Sequence, residues 1–474
     1  TLKLVELLLN EKNNSDALFY LQTLQQTLPR VSEDSMRLLK RILELLHNKK
    51  PLEAKTPLVM LHNLMKPTNL YKEHLKRLRG TKGPIAGNPI YRFLNTKKGA
   101  DSTNKKGLYD VEYQDISTLV GLNLLNKKFK SKSTTHPNHP IIAIADYDAD
   151  GDQDLFVSFW SEAEQKNHQF LLENDNWTYK DKMSLPQIDN ATGKDLSASF
   201  IDIDNDGHLD LLICNSIKNR IYSNKGSSEF FSNSINSSIN IDKKNGNKGL
   251  LFDMDLEGDL DLVLLTNDGN RLFRNNSDGT FIEINFQSGM IPHSTDKSID
   301  AAISDFDDDG DSDLITISKN GKNIYYDNLR QGYFKDIMNE TDLTIPEHPG
   351  TIVTGDYNND GLMDLFITDL KGKQHRLNKN IGNKKFIEDI NWNNSYAFLN
   401  KKIDGYCAEL FDSNNDGYLD LLISMSFNKE NNKHALAILY NNGKGKFNQP
   451  SIIKSDFNGP LKQIHTIDYD NDGD

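Results

Sequence analysis

One nine-residue pattern, Asp-x-Asp-x-Asp-Gly-x-x-Asp, constrains this chain more than any other feature. It begins at Asp146, Asp202, Asp253, Asp305, Asp356, Asp412 and Asp468, at intervals of 56, 51, 52, 51, 56 and 56 residues. Copies at so regular a spacing require an array of like units rather than one irregular core. A period of about 50 residues is too long for tetratricopeptide or leucine-rich repeats and suits one four-stranded propeller blade.

A second feature keeps step with the first. Each complete loop is followed by an apolar run: "DLFVSF", "DLLICN", "DLVLLT", "DLITIS", "DLFITD" and "DLLISM". A further segment then ends at an Asn before a Gly- or Asn-rich turn. From the first Asp the offset is 22 at Asn224, 22 at Asn275, 23 at Asn328 and 22 at Asn378. It grows to 28 at Asn174 and 29 at Asn441, where "SEAEQKNH" and "NKENNKH" lengthen a hairpin tip. Each unit therefore reads as four short strands, the last two forming a hairpin around the Asn. The near-continuous apolar runs predict second strands covered on both faces by neighbouring blades.

The loops carry the chemistry. Oxygen donors alternating at positions 1, 3 and 5 converge when the loop curls, Gly at position 6 permits the turn, and a carboxylate at position 9 closes the shell. The donors are Asp146, Asp148, Asp150 and Asp154 in the first loop, and Asp202, Asp204, Asp206 and Asp210 in the second. The third offers Asp253, Asp255, Glu257 and Asp261, and the fourth Asp305, Asp307, Asp309 and Asp313. The fifth offers Asp356, Asn358, Asp360 and Asp364, and the sixth Asp412, Asn414, Asp416 and Asp420. The seventh shows Asp468, Asp470 and Asp472. Position 7 varies through Asp152, His208, Asp259, Asp311, Leu362, Tyr418 and Asp474. A ligand supplied there by the backbone carbonyl tolerates any side chain.

Hard oxygen donors without a Cys or His set point to Ca²⁺, up to about seven ions by this count of loops. A single copy could be no more than a polar turn; seven copies in register argue against that. The fifth and sixth loops have one carboxylate fewer and the third a longer Glu, which makes them the weaker candidates. An EF-hand would need a bidentate Glu at position 12. The chain has Val157, Ile213, Leu264, Thr316, Ile367 and Ile423 there instead.

At this point the residues resemble the FG-GAP/VCBS repeat family, the calcium-loop propellers of the integrin α head and of many bacterial surface proteins. The likeness rests on "DYDADGDQDL", "DIDNDGHLDL", "DFDDDGDSDL", "DYNNDGLMDL" and "DSNNDGYLDL", and on hairpins such as "NNSDGTF" and "NNGKGKF". The bacterial ASPIC/UnbV-type proteins are nearest in style. The resemblance implies a mainly β fold of seven or so blades, calcium loops on one face, and an adhesive or ligand-binding role toward protein or glycan.

The rest of the chain differs. Residues 1–135 hold 24 Lys and Arg against 12 Asp and Glu, whereas residues 136–474 hold 31 against 56. The acidic second part argues against nucleic acid as its partner. Thirty of those 56 acids lie in the seven loops, a crowding of like charge that cations would relieve. Residues 1–80 carry Leu at helical spacing, punctuated by Pro29, Pro51, Pro57 and Pro67, and predict a small bundle of helical hairpins. Residues 81–140 form a connector in which "PIYRFLNTKKG" and "GLYDVEYQD" resemble the outer strands of a blade. The expectation is a seven-bladed propeller over 141–474, its ring closed by strands from 89–113 against 462–474.

Cys214 and Cys407 are too few for a disulfide framework and fall in apolar runs. No stretch of 18 or more apolar residues occurs, so no membrane span is expected. The chain starts at Thr1 and stops at Asp474 inside a loop, and reads as a fragment of a longer protein. Nucleophile elbow, zinc-protease and phosphate-loop patterns are missing from it. The favoured reading is a non-enzymatic extracellular, cell-surface or periplasmic binding module. The alternative is a carbohydrate-active enzyme, polysaccharide lyase-like, on a calcium-propeller scaffold.

Overall fold

In this computed structural model, leucines three and four residues apart build the helices of the first unit. These are α1 (Asn14–Thr27), α2 (Glu33–His47) and α3 (Pro51–Met65). Their stripes meet in one core that includes Leu21, Leu39, Ile42, Leu46, Leu58 and Leu61. Pro51 opens α3, where its missing N–H has no partner to lose. Pro57 lies inside the helix rather than punctuating it. The lost backbone hydrogen bond is offset by burial of Ala54, Leu58 and Leu61 around it. The structure describes the helical stretches within residues 5–65, parts of 79–84 and 113–125, and most of 138–468. Residues 66–78, 85–112, 126–137, 183–192, 233–245, 393–404, 469–474 and some shorter stretches lie outside the described residues. By contacts the chain divides into Thr1–Lys105 and Lys106–Asp474.

The second unit is built of six antiparallel four-stranded sheets, each with its strands in sequence order. Blade I comprises Asn138–Ala145, Asp154–Ser161, Lys166–Asn174 and Tyr179–Asp181. Blade II comprises Asp195–Ile201, Asp210–Asn215, Arg220–Asn224 and Phe230–Ser232. Blade III comprises Gly246–Phe252, Asp261–Thr266, Arg271–Asn275 and Phe281–Glu283. Blade IV comprises Ser298–Ser304, Asp313–Ser318, Ile324–Asn328 and Phe334–Asp336. Blade V comprises Pro349–Gly355, Asp364–Asp369, Arg376–Asn380 and Phe386–Glu388. Blade VI comprises Ala408–Phe411, Asp420–Asn428, Lys433–Leu439 and Ser451–Asn458.

The register is the same in every blade. The residue just before the loop pairs with the loop's ninth residue: Ala145 with Asp154, Ile201 with Asp210, Phe252 with Asp261 and Ser304 with Asp313. Gly355 with Asp364 and Phe411 with Asp420 complete the set. Each acidic loop is thus the connection between first and second strands. The second strands of blades I to V are buried along their whole length, as their apolar runs predict. Consecutive sheets press these faces together. Phe156 and Leu171 of blade I meet Leu211 and Tyr222 of blade II, and Phe306, Ile315 and Tyr325 of blade IV meet Leu365 and Phe386 of blade V.

Two sequence expectations need correction. The first is the blade count: six complete blades stand among the described residues, not seven. The seventh loop begins at Asp468, and its residues 469–474 lie outside the described residues, so it adds no strand among them. The second is the fifth hairpin Asn, which is Asn380 and not Asn378. Asn380 ends the third strand opposite Phe386, whereas Asn378 turns its amide to Thr344.

Of the ring closure expected from 89–113 and 462–474, residues 89–112 and 469–474 lie outside the described residues. The described part of the tail, 461–468, is not a strand, but it lies between the first strands of blades VI and I. Gln463 Oε1 accepts the Ile142 N–H at 2.9 Å, Glu409 Oε1 accepts the Thr466 hydroxyl at 2.9 Å, and Ile464 packs on Leu422, Ile438 and Tyr440. On the far side, Ile116, Val120 and Leu122 cover Leu155, Val157 and Phe170 of blade I. First strands of all six blades and residues 462–465 line one central cavity of about 470 Å³.

Candidate metal centres

The loops fold by the same internal hydrogen bonds. The first-position carboxylate spans the turn, with Asp146 Oδ1 accepting from the Asp150 N–H and Oδ2 from the Gly151 N–H, both at 3.0 Å. Asp202, Asp253, Asp305, Asp356 and Asp412 repeat that pair of contacts at 2.7–3.1 Å. Position 5 then accepts the N–H of position 7, as Asp150 does from Asp152 and Asp206 from His208, each at 3.0 Å. The glycine at position 6 is left-handed, as at Gly151 (φ 100°) and Gly207 (φ 89°), a conformation in which a Cβ is strained.

Position 4 is left-handed too, at Ala149, Asn205, Leu256, Asp308, Asn359 and Asn415. The Asn and Asp residues there are the one signal the sequence offered. At two of the loops the position 7 side chain packs on the hairpin turn, whereas Asp311 is buried beside Asp309 and Asp313 in its own loop. A Cβ on Gly226 would lie 2.5 Å from the His208 ring, and one on Gly443 would lie 2.7 Å from the Tyr418 ring. His208 and Tyr418 therefore pack over the hairpin turn of their own blade.

Carboxylate oxygens converge within 4.8 Å of one another at Asp146, Asp148 and Asp154, and at Asp202, Asp204 and Asp206. They do so again at Asp253, Asp255 and Asp261, and at Asp305, Asp307 and Asp309. The four loops richest in carboxylates thus bring their donors together. In the fifth loop Asn358 gives its amide to Asp364 at 2.7 Å. In the sixth, Asn414 Oδ1 already accepts the Asp416 N–H at 3.0 Å. Asp468 is the last described donor of the seventh loop; Asp470 and Asp472 lie outside the described residues.

The donor set fits a hard divalent cation on one observation. Among the described residues, the third-position oxygens Asp148 Oδ1, Asp204 Oδ1 and Asp307 Oδ1 are buried and receive no hydrogen bond. A buried carboxylate oxygen without a donor is costly, and here it recurs at one position of the loop. Burial first, and then the neighbouring Asp150, push the Asp148 carboxyl up to about 6. Burial and Glu257 do the same to Asp255, also to about 6.

The ninth-position Asp has a second duty that spacing alone did not reveal. Its two oxygens join its own loop to its own hairpin: Asp154 accepts the Asn174 N–H at 2.8 Å and the Tyr147 N–H at 3.2 Å. Asp210 and Asp261 hold the equivalent pairs. In the fourth blade the Tyr325 hydroxyl replaces the loop N–H, at 2.9 Å from Asp313. Burial drives these carboxyls up, Asp154 to about 7, Asp210 to about 6, Asp261 to about 8 and Asp313 to about 7. Basic side chains also reach the loops. Lys225 pairs with Asp204 and Asp206, Lys379 with Asp360, and Lys384 with Asp307.

A family profile described as FG-GAP-like repeat matches residues 146–213, 305–367 and 412–474. Each segment starts on the first Asp of a loop. Cartilage acidic protein 1 of Homo sapiens is 26% identical over 196 residues, covering 39% of this chain and 29% of that protein. The Xenopus tropicalis protein of the same name is 21% identical over 314 residues, covering 60% of this chain and 47% of that protein. The chain spans less than half the length of these relatives. Among solved structures, an Agrocybe aegerita lectin recognising non-reducing terminal N-acetylglucosamine aligns with a TM-score of 0.46 and 19% identity, over 67% of this chain and 80% of the lectin. With six loop-bearing blades in one register and three profile matches that begin on the loops, the chain is a β-propeller that carries FG-GAP-like repeats.

Proposed function

We propose that this propeller is a calcium-stabilised binding module that works outside the cell or in the periplasm and presents a rigid surface to a protein or glycan ligand. The buried, donor-less oxygens of Asp148, Asp204 and Asp307 carry the reading. Each sits among like charges at the seam between the first and second strands of its blade. A calcium ion there would neutralise the loop and be bound through oxygen alone, a donor set that suits Ca²⁺ better than Mg²⁺, which keeps more of its water. Asp146, Asp148 and Asp154 would hold it in the first loop, Asp202, Asp204 and Asp206 in the second, and the corresponding Asp sets in the third and fourth.

The location follows from the loop type. Calcium sites of extracellular modules bind at 10⁻⁴–10⁻³ M, of order the calcium level outside cells and far above that of cytosol. Calcium then acts on the scaffold, and ligand choice falls to the blade edges and hairpin tips that vary between blades. The test is a glycan and extracellular-protein array probed with the chain in calcium and in EDTA. A ligand bound in calcium and released by EDTA supports the reading. Binding that is indifferent to chelation would remove calcium from the binding function.

A further inference from the structure

The fourth loop carries three charged groups that lie outside the nine-residue pattern. Asp327, next to the hairpin Asn328, is 4% exposed and brings a carboxylate oxygen within 4.8 Å of those of Asp307 and Asp313. Arg330 Nε lies 3.4 Å from Asp311 Oδ2. Lys384 comes from another blade: it sits at the hairpin tip of blade V and reaches across to blade IV. Its Nζ lies 2.8 Å from Asp307 Oδ2 and 2.5 Å from Asp327 Oδ1.

Two observations mark this as a seat built for a cation. The Asp307 side chain is 6% exposed, and its other oxygen, Oδ1, has no hydrogen-bond donor among the described residues. Lys384 also adopts a left-handed backbone (φ 62°), following Asn383 (φ 54°) and Gly382 (φ 79°). A lysine pays for that conformation, and such strain persists where the surroundings hold it. The charge balance explains why a built-in cation helps. Asp305, Asp307, Asp309, Asp311, Asp313 and Asp327 crowd one loop, and while no divalent ion is bound Lys384 and Arg330 offset part of that charge.

We propose that Lys384 is a tethered cation of the fourth loop, competing with calcium for Asp307 and thereby weakening that one site. The inference rests on the calcium reading above. When calcium takes Asp307, the ammonium gives up that contact, so filling this loop also changes the junction between blades IV and V. Lys225 and Lys379 make related contacts in the second and fifth loops, but each comes from the blade that owns the loop.

The experiment compares calcium titrations and melting curves of the whole chain for wild type, Lys384→Met, Lys384→Arg and Lys335→Met. Lys335, paired with Glu340, controls for loss of one positive charge from blade IV. The expected result is one site tightened about tenfold in Lys384→Met, the scale of removing a nearby charge in a partly screened setting. That variant should also melt lower than wild type in EDTA and like wild type in saturating calcium. Lys384→Arg and Lys335→Met should keep the wild-type titration. If wild type responds to calcium and Lys384→Met titrates as wild type does, this inference is overturned while the calcium reading stands. A Lys384→Met chain unfolded even in saturating calcium makes the lysine structural glue, which also overturns it. A wild-type chain without a calcium response overturns both.

Discussion

The side-chain amide of Asn224 donates to the carbonyl of Tyr147, 2.8 Å away and 77 residues earlier, in the loop of the preceding blade. Asn275 does the same to Ile203, Asn328 to Met254, Asn380 to Phe306 and Asn441 to Tyr357, at 2.6–2.8 Å. Each of these five Asn thus fastens three things: the neighbouring loop, its own loop through a second amide contact, and the ninth-position Asp through its backbone N–H. Replacing Asn275 by Leu leaves the Ile203 and Leu260 carbonyls without their donor, at a cost on the order of 1–3 kcal/mol per orphaned group. Urea unfolding measures it. Asn276→Ala, at the neighbouring exposed position, should stay within about 0.5 kcal/mol of wild type.

Tyr113 fills the corresponding place at the sixth loop. Its hydroxyl donates to the Ser413 carbonyl at 3.3 Å, the second-position carbonyl that a hairpin Asn takes at the other junctions. Tyr113→Phe removes one partly exposed hydrogen bond, so a loss of about 0.5–1 kcal/mol is expected by the same unfolding measurement. A Tyr113→Phe chain as stable as wild type would show that the contact does not fasten blade VI.

Backbone strain sets the third expectation. A Cβ on Gly207 would meet nothing within 4 Å, yet its φ is 89°. Gly207→Ala therefore tests conformation without steric clash, and should cost about 1 kcal/mol or somewhat more in stability. Its calcium affinity at one site should fall with it, read by titration.

The raised carboxyls fix a pH dependence. Asp154, Asp261, Asp313 and Asp364 are pushed by burial from 3.8 to about 7, 8, 7 and 7. The folded chain therefore holds protons that the unfolded chain has released. Without calcium, this contribution to stability is present below about pH 4 and is lost as pH rises toward about 8. Calcium binding must expel those protons, so affinity should strengthen over the same range. In EDTA the urea midpoint should be higher at pH 5 than at pH 8. A midpoint that rises with pH would contradict the assignment.

Much of the blade was legible in the sequence because each unit repeats the same local demands. Asp-x-Asp-x-Asp-Gly fixes a turn, and "DLLICN" or "DLVLLT" fixes a strand buried on both faces, so loops and second strands stand where the pattern puts them. Contacts between units were not legible. The bond from Asn224 to Tyr147 joins positions 77 apart, and no local spacing encodes which carbonyl will face an amide across a blade junction. Asp327 was missed for a related reason: it lies 14 residues beyond Asp313, and only the pairing of the second and third strands brings the two together. At the fifth hairpin "HRLNKN" offers two Asn two residues apart, and spacing alone points to Asn378. Strand pairing, which puts Asn380 opposite Phe386, decides between them.

The central claim is that the acidic loops hold calcium, and ion counting tests it most directly. Native mass spectrometry of the chain, first stripped with EDTA and then exchanged into calcium, should show several bound calcium ions. Substituting Asp148, Asp204, Asp255 and Asp307 together by Ala should remove about four of them. A calcium-exchanged chain of the same mass as the stripped one, or an ion count indifferent to those four substitutions, would contradict the account.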